Sequence, residues 1–275
     1  MESTELAGVK LYEFSNLKNF GGIKHFITSR KGGFSKGPFA TMNTGFHVGD
    51  NDWDVLQNRK KLASMVNVNI NQFTFSAQTH SSNIAIVDKS GKGKGSTESE
   101  TAILNTDALI CRTPEIFICV QTADCVPLIL FDPVNRAIAA IHAGWRGTLK
   151  KITEATVLKM MHTFETHPAD LIAGIGPSNG PCCYEVGEDV FSEVKRSMVN
   201  PKDVIKPASK TGKYMFDQWR ANYIQLTDLG VKPENIETAA ICSQCQSDLF
   251  FSSRKDNGFT GRTTSGIMIT KPTAV

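Results

Sequence analysis

Short apolar segments separated by polar turns run through most of the chain, and they predict a fold of interspersed strands and helices. Four of these segments follow one another at a spacing of roughly ten residues, which is typical of adjacent strands in a largely buried sheet. A turn at Asp132 and Pro133 separates the last two. The four segments cover residues 108–111, 116–121, 127–131 and 137–141.

The other predicted elements lie on both sides of this block. A helix is predicted over 52–66, because its apolar residues share one face and Asn51 or Asp52 can cap the first turn. Further helices are predicted over 148–164, 189–197 and 217–229. Further strands are predicted over 23–28, 73–77, 84–87, 171–174, 237–241, 249–253 and 266–270.

The irregular order of these elements favours an α+β fold, with helices around a mixed sheet or pair of sheets, over a regular βαβ ladder. The chain shows no internal repeat, and we expect a single domain over residues 1–275. Between residues 89 and 100 the composition shifts to serine, glycine, lysine and glutamate. This composition predicts a mobile loop inside the domain, not a domain boundary.

Composition narrows the class of protein. Hydrophobic residues make up 40% and charged residues 21%, which excludes a disordered chain or a coiled coil. A net charge of +3 is too small to indicate a nucleic-acid partner. The longest apolar run, residues 125–131, is far shorter than a membrane span. Because Glu2 and Glu5 stand where a signal peptide would be apolar, we expect no export signal and a cytoplasmic location.

Three side chains from separate predicted turns have the chemistry of a metal site. Cys125 and His142 each lie where a predicted strand ends, and His80 lies in a polar turn just past another strand. The odd number of cysteines, seven, argues against a disulfide scaffold and favours reduced thiols. Two imidazoles and one thiolate are a suitable ligand set for Zn²⁺ and leave a fourth position open for water or substrate, as in catalytic zinc sites.

The glycine-rich segment 144–147, which follows His142 directly, has a second kind of chemistry. If a helix begins at Thr148, this segment lies at its amino terminus, where free backbone N–H groups and the helix dipole favour an anion. The cation of Arg146 would reinforce that preference.

The remaining cysteines receive a structural interpretation. Cys242 and Cys245 have the C-x-x-C spacing, but the chain contains no second pair of this kind, which favours buried thiols over a zinc or redox motif. The adjacent Cys182 and Cys183 lie in a turn rich in glycine and proline. They could line the pocket, but we favour packing residues as the interpretation.

A series of longer motifs covers nearly the whole chain, from about Ile23 to Ile269. The motifs are Ser29-Arg-Lys-Gly-Gly, Asn43-Thr-Gly, Val48-Gly-Asp, Asn58-Arg59, Ala123-Asp-Cys-Val-Pro, Ile141-His-Ala-Gly-Trp-Arg-Gly, Gly176-Pro-Ser-Asn-Gly-Pro-Cys-Cys-Tyr-Glu-Val and Leu249-Phe-Phe-Ser-Ser-Arg. In this order and with this content, the chain resembles the YfiH, or laccase-domain, family. One departure is Ser81, where the family pattern has glycine after the histidine, and it bears on the shape of that turn.

The resemblance implies an activity and a fold. The implied reaction is phosphorolysis of purine nucleosides (adenosine, inosine and methylthioadenosine), with adenosine deamination as a side reaction. The implied partners are therefore small-molecule nucleosides and phosphate, and neither nucleic acid nor membrane. The implied fold is a four-layer α/β/β/α sandwich, shared with a bacterial toxin deamidase.

The resemblance also implies which residues form the site. The metal ligands of the family fall on His80, Cys125 and His142, the three residues already grouped by their chemistry. Zn²⁺ is the expected ion and copper is the alternative. These three ligands are the predicted catalytic centre.

Phosphate needs cationic groups with several donors, which arginine side chains provide. The candidates are Arg30, Arg59 and Arg146. Arg59 ranks first, because it belongs to the Asn58–Arg59 pair that the resemblance covers, and we assign it a catalytic role as well.

A copper-dependent polyphenol oxidase is the first alternative function. Two histidines and one cysteine also form the core of a blue-copper site, for which Met160 or Met161 could supply a weak axial ligand. A full multicopper laccase needs more histidine ligands than the six that the chain contains. Composition therefore argues against a full laccase.

A cysteine hydrolase is the second alternative function, with Cys125 as nucleophile and His142 as base. It competes with metal binding, because one thiolate cannot act as both free nucleophile and metal ligand.

Overall fold

The computed structural model describes residues 1–271 and contains two six-stranded sheets. In the first sheet, neighbouring strands are antiparallel, except that β7 (Phe117–Thr122) and β4 (Phe73–Phe75) form a parallel pair at one edge. In spatial order this sheet contains β1 (Glu2–Leu6), β2 (Val9–Glu13), β3 (Ile23–Thr28), β15 (Thr263–Ile269), β7 (Phe117–Thr122) and β4 (Phe73–Phe75).

The second sheet has parallel pairs at both edges and antiparallel pairs in its centre. In spatial order it contains β14 (Ile236–Thr238), β10 (Ile172–Ile175), β8 (Val126–Asp132), β9 (Ala137–Ala143), β6 (Ala108–Cys111) and β5 (Ile84–Val87). The mixed pairing shows that the chain does not form a regular βαβ ladder.

The described part of the chain also contains a small third sheet and six α-helices. The small sheet contains β11 (Glu185–Val186), β13 (Tyr214–Phe216) and β12 (Ile205–Pro207). The helices are α1 (Ser15–Lys18), α2 (Asp52–Met65), α3 (Trp145–Leu149), α4 (Ile152–Phe164), α5 (Glu188–Ser197) and α6 (Gln218–Asp228). The predicted cap of α2 is confirmed, because the Asn51 side chain accepts the first free N–H groups. Among residues 1–271, no helix has the length and apolar character needed to cross a bilayer.

The hairpin of β8 and β9 lies at the centre of the second sheet. Its turn is closed by the Asp132 carboxylate, which accepts the backbone N–H groups of Val134 and Asn135, both at 3.0 Å. The antiparallel register pairs Val126 with Ala143, so the start of β8 and the end of β9 lie side by side. This pairing brings the residues that precede β8 and those at the end of β9 to the same end of the sheet.

Both faces of this hairpin are buried, which explains its continuous apolar sequence. Side chains alternate between the faces of a strand. Along β8, Ile129 and Phe131 therefore join a core with residues of the first sheet, whereas Leu128 and Leu130 pack with residues of α4 and α6. Full burial of one such side chain stabilises the fold by about 1.5–3 kcal/mol.

The outer face of the first sheet has a core of its own. Leu62 and Ala63 of α2 pack against Phe26, Phe73 and Phe117 of the sheet. The α+β class predicted from the sequence is thereby confirmed. Its further subdivision into four layers, and the single domain, stay predictions that these three cores support.

Two predicted elements are wrong. The helix predicted over 148–164 is two helices, because Lys151 adopts a left-handed backbone with φ of 62° that ends one helix and precedes the next. The predicted strand over 249–253 is a turn and an irregular segment whose Phe250 and Phe251 are buried, so its apolar residues serve the core without pairing in a sheet.

The segment 89–100 is hydrogen-bonded to β4 along part of its length. The backbone N–H of Phe75 donates to the carbonyl of Lys94 at 2.9 Å, and the Thr74 hydroxyl donates to the carbonyl of Gly91 at 3.1 Å. The mobility predicted for this segment stays a prediction.

Candidate metal centre

The three predicted ligands come from two loops and one strand end, at the end of the second sheet where β8 begins and β9 ends. Cys125 immediately precedes β8, and His142 is the penultimate residue of β9. His80 lies in the turn between β4 and β5. Because the hairpin register aligns the two strand ends, residues far apart in sequence become neighbours.

The donor atoms of these residues are close enough to share one ion. The Cys125 Sγ lies 3.7 Å from the His80 Nε2, and the two imidazole centroids are 4.9 Å apart at an interplanar angle of 77°. One ligand atom from each residue lies within 4.8 Å of the others. A zinc ion with bonds of about 2.0–2.3 Å holds its ligand atoms roughly 3.3–3.8 Å apart. The set is therefore of the kind that binds a metal, with Cys125 half-buried and His80 exposed.

A buried carboxylate, Asp107, organises two of the three ligands. Its Oδ1 accepts the His80 backbone N–H at 3.0 Å, and its Oδ2 accepts the backbone N–H groups of Thr79 and Ser81 at 3.2 and 2.7 Å. The Ser81 hydroxyl also donates to Oδ2, at 2.6 Å. These bonds hold the turn in which His80 adopts a left-handed backbone with φ of 57°. Ser81, the departure from the family pattern, thus closes the turn through its own side chain.

Asp107 also orients the imidazole of His142. The Nδ1 of this ring lies 2.8 Å from the Asp107 Oδ1. An ionised carboxylate only accepts hydrogen bonds, so Nδ1 donates and Nε2 is left as the ligand atom. A carboxylate behind a histidine is the usual support of a metal-binding imidazole. Sequence reasoning missed Asp107, whose only local signal is its place just before β6.

The electrostatics of the cluster favour charged forms. Burial by itself would raise the pKa of the Cys125 thiol, but the His142 imidazolium and hydrogen bonds from both histidines lower it to about 6. Burial would lower the pKa of His142, but the Cys125 thiolate and Asp107 raise it to about 9. Burial would raise the pKa of Asp107, but hydrogen bonds from His142 and Ser81 hold it well below its usual range. Metal binding to the Cys125 thiolate and the His142 imidazole would therefore release the proton that the His142 imidazolium carries.

The three ligands line a cavity of ≈ 510 Å³, a volume in the usual range of small-molecule sites. The other lining residues are His47, Gln78, Gln121, Ala123, Asp124, Asn179, Tyr184, Ser253, Arg254, Asn257 and Arg262.

Asp124, next to Cys125, connects three loops of the cavity wall by hydrogen bonds. Its carboxylate accepts the Ser243 hydroxyl and the Arg254 backbone N–H, both at 2.6 Å. Its carbonyl accepts the backbone N–H of Asn179 at 2.8 Å. The loops that carry these three residues are thus fixed around Cys125.

Asn179 offers a donor that the protein leaves unused. The residue is fully buried, and its Nδ2 has no hydrogen-bond partner within residues 1–271. A buried donor without a partner costs about 1–3 kcal/mol, so a ligand that accepts this hydrogen bond regains that free energy.

The predicted phosphate ligand Arg59 is buried and does not line the cavity that contains the three predicted metal ligands. Its Nε donates to the carbonyl of Thr44 at 2.7 Å, and its Nη1 donates to the carbonyl of Ser96 at 3.0 Å. Its guanidinium also lies over the rings of Phe46 and Phe75. The residue lines a smaller cavity that shares three lining residues with the main one. Arg59 is placed to hold together the loops that carry Thr44 and Ser96. Its role in phosphate binding stays a prediction.

Arg30 and Arg146 are also outside the main cavity. Arg30 donates to the carbonyls of Ala40 and Ser247 at 3.0 and 2.7 Å. Arg146 is exposed and lies over the ring of Trp145, 4.2 Å from its centroid. The cations that do line the main cavity are Arg254 and Arg262, which sequence reasoning did not select. The only signal for Arg254 was its place at the end of the Leu249-Phe-Phe-Ser-Ser-Arg motif.

The methionines considered as axial copper ligands are elsewhere. Met160 is fully buried in the core of α4, and Met161 is exposed on the same helix. Neither lines the cavity. The buried-thiol interpretation is wrong for Cys245, which is exposed in the turn after β14, although Cys242 is buried as expected. The packing interpretation is wrong for Cys182, which is also exposed.

Comparison with known proteins identifies the family. The family described as multi-copper polyphenol oxidoreductase laccase matches residues 24–270. The chain belongs to this laccase-domain family. Its described fold agrees, because the crystal structure of YlmD from Geobacillus stearothermophilus superposes with a TM-score of 0.92 at 32% identity, covering 98% of both chains.

Relatives of this laccase-domain protein are named as enzymes, and two of them illustrate two names that occur. It is 35% identical over 262 residues to a purine nucleoside phosphorylase of Bacteroides thetaiotaomicron, and the match covers 95% of this chain and 97% of that relative. It is 35% identical over 260 residues to adenosine deaminase RL5 from an unknown prokaryotic organism, covering 94% and 98% of the two chains.

Proposed function

We propose that this protein is a metal-dependent purine nucleoside phosphorylase. In the reaction, a phosphate oxygen forms a bond to the C1′ carbon of the ribose while the bond from C1′ to the purine nitrogen breaks. The electron pair of that bond leaves with the purine, which takes up a proton. The second product is ribose 1-phosphate, or its 5-methylthio derivative when methylthioadenosine is the substrate. The substrates are a small-molecule nucleoside, such as adenosine, inosine or methylthioadenosine, and inorganic phosphate.

The observation that carries this proposal is one cavity that combines a metal-ligand cluster with two arginines and an unused amide. Arg254 and Arg262 are the cationic groups suited to phosphate. The free Nδ2 of Asn179 is suited to an acceptor nitrogen or oxygen of the purine edge. Tyr184 supplies an aromatic wall for the base. The relative from Bacteroides thetaiotaomicron bears the name of the same reaction.

The donor set of His80, Cys125 and His142 fits Zn²⁺, which takes nitrogen and sulfur ligands and keeps an open position in catalytic sites. When bound, this ion supplies Lewis-acid polarisation of a neighbouring oxygen or nitrogen. Asp107 keeps the His142 proton on Nδ1 and holds the turn of His80, so both side chains are preorganised. Arg254 and Arg262 orient phosphate and neutralise its charge.

The test follows adenosine and inosine with and without inorganic phosphate. We expect release of free base together with ribose 1-phosphate only when phosphate is present, and element analysis of the same protein identifies the ion as zinc or copper. Base release that is independent of phosphate indicates hydrolysis and contradicts the proposal.

The matched variants are Arg254→Ala and, as control, Arg196→Ala. Arg196 is an exposed arginine on α5 that pairs with Glu193. Loss of one charge-assisted contact worth about 1.5–3 kcal/mol corresponds to a roughly 10- to 150-fold higher KM for phosphate in Arg254→Ala. Equal KM values in the two variants would exclude Arg254 from phosphate binding.

Adenosine deamination is a second activity that we propose for the same site, because a relative of equal identity is named adenosine deaminase. The reaction replaces the amino group of the base by oxygen from water and releases ammonia. We expect inosine and ammonia to form from adenosine without phosphate, and a chelator to abolish both products. Absence of ammonia under these conditions removes this activity.

A Cys–His hydrolase is the alternative that one observation favours. Cys125, His142 and Asp107 are arranged as nucleophile, base and orienting carboxylate, with the 2.8 Å bond between the last two. Chelation followed by zinc addition separates the two readings. Loss and recovery of activity support the metal enzyme, whereas full activity in chelated protein that iodoacetamide then abolishes supports the hydrolase.

A further inference from the structure

Four cysteines that the proposed reaction does not use converge from two loops. Cys182 and Cys183 lie in the turn between β10 and β11, and Cys242 and Cys245 lie in the turn after β14. The Cys245 Sγ is 3.6 Å from that of Cys182 and 3.3 Å from that of Cys183. All four sulfur atoms lie within 4.8 Å of one another.

These spacings fit a single ion bound by four thiolates. A tetrahedral zinc ion with Zn–S bonds of about 2.3 Å places its sulfur atoms about 3.8 Å apart. A disulfide requires a sulfur–sulfur distance of about 2.0 Å, and all four cysteines are free. A [4Fe–4S] cluster binds each cysteine to a different iron and so holds the sulfur atoms farther apart than one central ion does.

The loops also supply the support that a thiolate ligand needs. Cys242 and Cys245 have the C-x-x-C spacing of structural zinc sites. The Gly180 backbone N–H donates to the Cys242 Sγ at 3.4 Å, the kind of outer hydrogen bond that orients a ligand. Gly180 makes this approach possible, because a Cβ there would lie 3.2 Å from the Cys242 Cβ and 2.5 Å from the Trp219 ring.

We propose that Cys182, Cys183, Cys242 and Cys245 bind a second metal ion, Zn²⁺, as a structural tetrathiolate site. Four protein ligands complete the coordination of zinc, so this site has no open position for substrate. It is separate in ligands and in role from the cluster of His80, Cys125 and His142.

The second ion would hold the wall of the main cavity. Cys183 directly precedes Tyr184, which lines that cavity. Ser243, which follows Cys242, donates to the carboxylate of Asp124 beside the other cluster. A metal that joins the two cysteine loops therefore fixes two segments that shape the substrate site, and its loss would lower thermal stability.

The test counts zinc in protein purified without chelator and loaded with Zn²⁺ alone. We expect two zinc ions per chain in the wild type, one in Cys245→Ser, and one in the double variant His80→Ala/His142→Ala. Cys111→Ala, a thiol outside both clusters, is the control and should keep two. X-ray absorption at the zinc edge of the double variant should then show sulfur neighbours only, at about 2.3 Å.

One zinc ion in the wild type that Cys245→Ser retains would overturn the proposal, as would a mass lower by two hydrogens that reveals a disulfide between the loops. The absorption spectrum of the double variant decides the matter if Cys245→Ser does not fold. Nitrogen or oxygen neighbours, or no bound zinc, in that variant would overturn the proposal as well. None of these results depends on which reaction the enzyme catalyses, so failure here leaves the phosphorylase test intact.

Discussion

Replacing Asp107 by asparagine should perturb the proposed metal centre without changing any of its three predicted ligands. The carboxylate accepts hydrogen bonds from the turn of His80 and from the Nδ1 of His142. In Asp107→Asn, the amide oxygen can keep the two bonds with Ser81, at 2.7 and 2.6 Å. Its NH₂ group then replaces Oδ1 and faces two donors.

The imidazole can relieve this conflict only by changing tautomer. If the His142 Nδ1 accepts a bond from the new amide, the proton moves to Nε2, which then cannot bind a metal. Loss of a partner behind a metal ligand typically weakens metal affinity 10- to 100-fold, or about 1.4–2.7 kcal/mol. The loss of two charge-assisted bonds also predicts a metal-free protein less stable by about 3–6 kcal/mol.

Competition against a chromophoric chelator measures the first effect, and urea denaturation of the chelated protein measures the second. Asp88→Asn is the control, because Asp88 accepts the N–H and hydroxyl of Ser90 at 2.8 and 2.6 Å but is exposed and does not line the cavity. Wild-type metal affinity in folded Asp107→Asn, or an equal loss in Asp88→Asn, would refute the reasoning.

Three further predictions address the geometry and charge of the same region. Gly144→Ala should weaken metal binding at least tenfold, as measured by chelator competition, because its Cβ would lie 2.7 Å from His80 Cδ2 and 3.0 Å from Cys125 Sγ. Gly21→Ala is the control, because a Cβ there would meet open space. Equal metal affinities in the two variants would contradict the clash. Arg59→Lys should lower the free energy of unfolding by about 2–4 kcal/mol through its lost carbonyl bonds, as measured in urea; a change only in the KM for phosphate would instead support a substrate role. In chelated protein, the alkylation rate of Cys125 should rise with pH through about 6 and then level off, because the thiolate is the reactive form and the pKa of this thiol is lowered to about 6. The rate for an ordinary thiol rises through a pH of about 8.5. Peptide mass spectrometry follows the modification, and a midpoint near 8.5 would contradict the thiolate–imidazolium pair.

Parts of the fold follow from local pattern. The strands β8 and β9 are continuous apolar segments with an aspartate-proline turn between them, so both their existence and their pairing were predictable. The break between α3 and α4 was not, because Lys151 adopts a left-handed backbone that no glycine or asparagine announces. The buried Phe250 and Phe251 show the opposite error, since apolar side chains can enter a core from an irregular segment.

Some residues of the candidate site were likewise predictable from the sequence, and others were not. His80, Cys125 and His142 stand out because each has metal-binding chemistry at a strand end, and the structure brings them together. Asp107 carries no such signal, because its role depends on distant partners that only the folded sheets bring close. The four-cysteine cluster was missed because two unrelated local pairs become one group only through the packing of two loops.

Whether His80, Cys125 and His142 hold one catalytic ion is decided by anomalous X-ray scattering from crystals of the active protein, recorded at the absorption edge of the metal that element analysis identifies. We predict a peak within bonding distance of the Cys125 Sγ and one nitrogen of each histidine. Active crystals without a peak among these three side chains would contradict the proposed metal centre.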